Sequence, residues 1–187
     1  MDKVIDVICG GGLVIMPTDT IYGILGDATN EQAINNVFEL KKRDSNKPLL
    51  ILVNGVEMLK RYVMDINDLE NGLIKKYWPG PLTIIFKKKN INDLLTCGKD
   101  TIGIRFPNDE RLLELITKLD RPLFSTSVNV SGEANVISLD DACRSILDGV
   151  DCVIDEGECN NSSSTIVVVV NGQIKLLREG SIKNISV

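Results

Sequence analysis

This chain predicts a single α/β domain, residues 1–187, built on a twisted, mixed parallel and antiparallel sheet flanked by helices. Three observations predict it. Strand-like and helix-like apolar periodicities are interspersed from end to end, with no internal repeat and no low-complexity linker. The 187 residues suffice for one well-packed domain and would cramp two. A late Asn171-Gly172 pair between two apolar runs is a hairpin turn, which puts an antiparallel pairing into the sheet.

The elements follow in order. Asp2 to Cys9 carries apolar residues at 4, 5, 8 and 9, the period of an amphipathic helix, and Gly10-Gly11-Gly12 stops it. The glycine triplet precedes a strand and lacks the Gly-Lys-Ser/Thr ending of a phosphate loop, so it reads as a tight turn. Leu13–Met16 is a buried strand that runs into the polar loop Pro17–Ile24. Thr29 and Gln32 have the spacing of a capping box for a helix reaching Lys42, with Ile34, Val37 and Phe38 inward. Leu49–Val53 is a strand, followed by two helical stretches, the second around Asp68 to Tyr77. Trp78-Pro79-Gly80-Pro81 excludes regular structure and reads as a rigid turn with a packed indole.

Beyond that turn, Leu82–Phe86 and Thr101–Phe106 are strands, and Lys87–Lys89 is the solvated end of the first. Asn108 is placed to cap a helix striped by Leu112, Leu113, Ile116 and Leu119. Pro122–Phe124 is a short strand entering Ser125–Gly132. Ser138 caps a helix with Leu139, Ala142, Ile146 and Leu147 inward, and Gly149 lies just past its end. Strands at Cys152–Asp155, Thr165–Val170 and Ile174–Arg178 complete the sheet.

Composition excludes several function classes. A net charge of −5 argues against a protein that coats nucleic acid through bulk charge, although Lys and Arg cluster at 41–47 and 87–89. There is no histidine, so Ser-His and Cys-His hydrolysis are excluded. Five cysteines occur with no C-x-x-C pair, and no metal site is expected; Cys9 and Cys143 fall on apolar helical positions and read as core residues. No signal peptide and no membrane-length apolar run is present, so the expected location is cytoplasmic, away from membranes.

Two polar segments abut strands. Pro17-Thr18-Asp19-Thr20-Ile21-Tyr22-Gly23 places hydroxyls and a carboxylate at a strand end, where α/β proteins gather their ligand loops. Lys41-Lys42-Arg43 and Lys47 supply cations just before Leu49–Val53. Together they suggest a pocket for an anionic substrate and a small polar one. Each also has a plain structural reading: Lys41 and Lys42 as a helix end complementing its dipole, Ser125–Ser131 as a turn, Lys87–Lys89 as a soluble strand end with tRNA contact as the alternative. Arg105 sits among Ile102, Ile104 and Phe106 and must find an anion if its face is buried.

Seven segments in order resemble the YrdC-like domain family: P-T-D-T-I-Y-G (17–23), K-K-R-x-x-x-K-P-L (41–49), W-P-G-P-L-T (78–83), T-I-G-I-R-F-P (101–107), S-T-S-V-N-V-S-G (125–132), S-S-T-I (163–166) and L-L-R-E-G (176–180). The resemblance covers nearly the whole chain and is to the short, single-domain form of threonylcarbamoyl-AMP synthase. It implies a nucleotidyltransferase that takes L-threonine, bicarbonate and ATP, with Mg²⁺ on the nucleotide, to threonylcarbamoyl-AMP and pyrophosphate. The product would pass to proteins that transfer the threonylcarbamoyl group to adenosine 37 of tRNA. Implied roles are Lys41 and Arg43 at the reacting phosphates, and Thr20, Arg105, Ser125 and Ser164 around threonine. Arg43, Lys47, Thr101, Ser127, Asn129, Asn135 and Arg178 would hold ATP.

The chain departs from the family pattern at Leu52, where many relatives carry a polar residue, often histidine, and mildly at Asp19 in place of glutamate. Asp19 is the obvious carboxylate should the protein itself hold Mg²⁺. Two other functions stay open on the residues alone: an RNA-binding module of the same fold in tRNA or ribosome maturation, and a paralogue acting on another carbamoyl or amino-acid substrate.

Overall fold

The computed structural model describes residues 1–187 apart from Ser45, Asn135 and Asn160. In chain order the elements are α1 (Asp2–Cys9), β1 (Val14–Met16), β2 (Gly23–Asp27), α2 (Glu31–Leu40), β3 (Leu50–Leu52), α3 (Val56–Tyr62), α4 (Asp68–Tyr77) and β4 (Leu82–Lys87). They continue with α5 (Asp93–Thr96), β5 (Thr101–Arg105), α6 (Glu110–Leu119), β6 (Leu123–Ser127), a 3₁₀ turn (Leu139–Asp141), α7 (Arg144–Leu147), β7 (Cys152–Val153), β8 (Thr165–Val170) and β9 (Gln173–Arg178). One sheet runs β7-β1-β2-β6-β3-β5-β4-β8-β9. Its β7–β1, β3–β5 and β4–β8 pairs are parallel and the others antiparallel, as expected of a mixed sheet flanked by helices.

The helices bury the faces their periodicity marks. α1 turns Val4 and Ile8 inward and ends at Gly10, after which Gly11 takes φ +80°. α6 buries Leu112, Leu115 and Ile116. The caps are displaced from their expected positions. Asn30, not Thr29, caps α2 by accepting from the Ala33 N–H; Thr29 instead donates its N–H and hydroxyl to Asp27. Asp109, not Asn108, caps α6, because the Asn108 N–H is engaged by Asp19. The full reciprocal capping box lies at Asn67 and Glu70 on α4.

Other expectations also need correction. β2 was hidden in the glycine-bearing stretch after Tyr22; all five of its residues are buried between β1 and β6. β6 extends through Ser127, because Ser125 and Ser127 pair with Leu25 and Gly23. The helix expected after Ser138 is split: Ser138 caps only the 3₁₀ turn, Ala142 is extended, and α7 restarts at Arg144. Cys9 and Cys143 are exposed, one closing α1 and the other in that break, whereas Cys152 and Cys159 are buried. The indole of Trp78 is packed edge-on against Phe86 and Phe106, and its Nε1 donates to the Leu82 carbonyl at 2.6 Å.

Sheet order shapes the site. Seven interstrand steps separate β7 from β8, roughly 34 Å on a flat sheet at about 4.8 Å per step. The link from Val153 to Thr165 reaches about 40 Å at full extension, and an Asx turn from Asp155 to Gly157 takes up its slack. Ser163 and Ser164, at the end of that link, line a hollow together with residues of β4, β5, β6 and β9.

Candidate functional site

Strand alternation decides what faces the hollow. Thr83 and Ile85 of β4, Gly103 and Arg105 of β5, and Ser125 and Ser127 of β6 line it, while Ile84, Ile102, Ile104 and Phe124 enter the core behind. The β1–β2 loop adds Thr18 and Thr20, the segment after α2 adds Arg43, the β7–β8 link adds Ser163 and Ser164, and β9 adds Arg178. The cavity measures about 340 Å³, within the range of small-molecule sites. Gly103 helps keep it open: a Cβ there would lie 3.2 Å from both Ile85 and Thr83.

Arg105 is the most buried cation on the cavity wall, 3% exposed. Its Nη1 donates to Asp19 Oδ1 at 2.7 Å and to Thr20 Oγ1 at 3.1 Å. Its Nε is buried and has no hydrogen-bond partner among the described residues. Such a donor costs about 1–3 kcal/mol, which an acceptor reaching it would recover. Arg43 is braced by the backbone, with Nε on the Lys47 carbonyl at 2.7 Å and Nη2 on that of Pro48 at 2.9 Å. Its Nη1 makes only a 3.5 Å approach to Thr126 Oγ1. Arg178 grips Ser164, donating from Nε and Nη2 to its carbonyl and from Nη2 to Oγ; that Oγ also bonds Thr83 at 2.8 Å.

Burial lowers all three guanidiniums from their ordinary value, and the charge of Arg105 lowers Arg178 further. All three remain cations. No carboxylate lines the cavity among the described residues, and the one ion pair touching it joins Arg105 to Asp19. An excess of fixed positive charge in a hollow selects a multiply charged anion.

Lys41 is placed differently from its expected contact with phosphate. It is 1% exposed and does not line the cavity. Its Nζ donates to the carbonyls of Ser127 and Asn129 and, at 3.0 Å, to Asn129 Oδ1. Asn129 in turn accepts from Ser127 Oγ at 2.6 Å and donates to the Glu133 carbonyl. Lys41 thus pins the loop after β6 from behind. Burial, with the charge of Arg43, pulls it down to about 7.

Of the residues singled out in the sequence, Thr20, Arg43, Arg105, Ser125, Ser127, Ser164 and Arg178 share the cavity wall. Lys41, Lys47, Thr101 and Asn129 do not line it: the Lys47 backbone braces Arg43, and Thr101 opens β5 opposite Lys87. Asn135 lies outside the described residues. Leu52 is fully buried, registered between Arg105 and Leu123. Asp19 does not line the cavity, and both its oxygens are engaged, Oδ1 by Arg105 and Oδ2 by the Asn108 N–H. Among the described residues no group of three metal-binding side chains occurs.

Sequence reasoning missed Tyr22. Buried at 1% exposure, its hydroxyl donates toward the Gly157 carbonyl (2.8 Å) and Asp155 Oδ1 (3.2 Å) and accepts from the Glu156 N–H (2.9 Å). Cys159 adds a thiol contact to the Thr20 carbonyl at 3.3 Å. These bonds fasten the β7–β8 link to the loop that carries Thr20. A tyrosine amid apolar residues was the available signal.

Fold and cavity together define an α/β protein with a hollow lined by three guanidiniums and several hydroxyls on one face of a mixed sheet, with no histidine or cysteine on the cavity wall. A family model described as Telomere recombination, covering Sua5, YciO and YrdC, matches residues 6–180. The chain belongs to this Sua5/YciO/YrdC family. A relative from Methanocaldococcus jannaschii is 42% identical over 177 residues, spanning 94% of this chain and 83% of its own. The threonylcarbamoyl-AMP synthase of Pyrococcus abyssi is 33% identical over 174 residues, and the match spans about half of it, 51%. A crystal structure of that Pyrococcus abyssi Sua5 complexed with L-threonine superposes with a TM-score of 0.89, covering 95% of this chain and 53% of the other.

Proposed function

We propose that this protein is an L-threonylcarbamoyl-AMP synthase, converting L-threonine, bicarbonate and ATP to threonylcarbamoyl-AMP and pyrophosphate. The observation that carries the reading is Arg105: a buried guanidinium on the cavity wall, oriented by Asp19, with Nε unpartnered among the described residues and the Thr20 hydroxyl 3.1 Å from Nη1. It suits an amino-acid carboxylate. Arg43 and Arg178 suit the triphosphate, Arg43 as a planar fork held from behind by two carbonyls.

In this reading the threonine amine and bicarbonate condense to a carbamate with loss of water, the carbamate attacks the α-phosphorus through oxygen, and pyrophosphate leaves. No side-chain nucleophile is required. Holding the reactants together and neutralising phosphate charge supply the acceleration. Ser125 and Ser164 would complete the threonine pocket, while Ser127, on the loop pinned by Lys41 and Asn129, would meet the nucleotide. Magnesium would arrive on the triphosphate. The product would go to proteins that transfer it to adenosine 37 of tRNA.

The test is pyrophosphate release by purified protein. Release should require ATP, L-threonine and bicarbonate together; equal release without threonine would overturn the reading. Calorimetry with L-threonine against L-serine measures what Leu52 does to selectivity.

A further inference from the structure

Hydrogen-bond capacity around Thr20 is almost fully assigned, and what remains has a definite polarity. The Thr18 hydroxyl donates its single hydrogen to the Ile21 carbonyl at 2.8 Å, an acceptor only. It accepts from the Thr20 N–H at 3.1 Å. At 2.9 Å from Thr20 Oγ1, with its hydrogen committed, Thr18 Oγ1 can only accept there, so Thr20 donates to it. Thr20 Oγ1 also accepts from Arg105 Nη1 at 3.1 Å. One lone pair on Thr20 is left, and no hydrogen.

Beside it, the Arg105 Nη1 hydrogens go to Asp19 and Thr20, while Nε is buried with no partner among the described residues. Arg105 and Thr20 both line the cavity, so a guanidinium suited to a carboxylate stands beside a hydroxyl whose free lone pair suits an N–H. An α-amino acid presents these two groups on adjacent atoms.

We infer that Thr18 is a positioning residue for amino-acid binding: by taking the Thr20 hydrogen, it turns Thr20 into an obligate acceptor for the amino group of the substrate. The inference rests on the proposed synthase reading and deepens it, since it assigns the amino group a partner and gives Thr18 a role. Without Thr18 Oγ1, the Thr20 hydroxyl can rotate and point its hydrogen at the incoming N–H. Thr18 is 7% exposed, so valine fits its volume while removing the oxygen.

The test is calorimetry on the full chain with L-threonine and, separately, with ATP, for wild type, Thr18→Val and Thr18→Ser. Thr18→Val should weaken L-threonine roughly tenfold, the size of one hydrogen bond to a charged group, with ATP affinity held within about twofold. Thr18→Ser should restore L-threonine binding, because serine supplies the same donor and two acceptors. Wild-type affinity for L-threonine in Thr18→Val would overturn the inference alone and leave the synthase reading standing. So would equal losses for both ligands, or a serine variant as weak as the valine one, since either outcome makes Thr18 a mere loop brace. A wild-type protein that binds ATP but not L-threonine would overturn both.

Discussion

Arg105 shows what a single buried charge obliges a fold to do. Its isolation among Ile102, Ile104 and Phe106 was visible in the sequence, as was the need for an anion. The identity of that anion was not, because Asp19 lies far away in the chain and meets Arg105 only through the β1–β2 loop. Arg105→Ala leaves Asp19 with an uncompensated, nearly buried charge, and urea unfolding should show a loss of about 3–5 kcal/mol. Lys41 is the opposite case. Its place in a cationic run suggested phosphate, but position in sequence cannot show that Nζ turns inward to three oxygens of the Ser127–Asn129 loop. With Lys41 near 7 in the native state against 10.5 ordinarily, the unfolded chain holds a proton between those values that the native chain lacks. Stability then rises with pH in that window. The unfolding free energy of wild type minus that of Lys41→Met should rise from pH 6.5 to pH 9; a constant difference would contradict the assignment.

At the scale of elements, strong periodicity was readable and weak periodicity was not. α4 and β8 begin and end where their patterns do. β2 carries two glycines, and its burial comes from neighbours on both sides, which no local pattern records. The caps of α2 and α6 moved by one residue because Asp27 and Asp19, distant or out of pattern, claimed the expected groups. The β7–β8 link is an element of its own, and Tyr22 is its principal fastening. Tyr22→Phe keeps the packed ring and removes the hydroxyl's shared donor bond to Gly157 and Asp155 and its bond from the Glu156 N–H, so amide exchange at residues 155–157 should accelerate while that of α4 and β4 stays unchanged. Protection equal to wild type would show that Cys159 and Arg111–Glu156 suffice. On the sheet itself, Gly103→Val would push into Ile85 and Thr83, and ATP affinity should fall at least tenfold with the protein still folded; unchanged affinity would place the nucleotide elsewhere.

For the whole molecule, the decisive feature is the strand order of a nine-stranded sheet. It gathers guanidiniums from the chain after α2, from β5 and from β9 around one hollow, though they are separated by up to 135 positions between Arg43 and Arg178. The motifs named the participants; only the strand order explains their meeting. The claim that follows is that this hollow joins an amino acid, a one-carbon acid and a nucleotide. Its most direct test is mass spectrometry of the product formed from ¹³C-bicarbonate, L-threonine and ATP. The account predicts an adenylate carrying both threonine and the labelled carbon, absent when any substrate is withheld. An unlabelled threonyl adenylate, or no adenylate at all with folded protein, would contradict it.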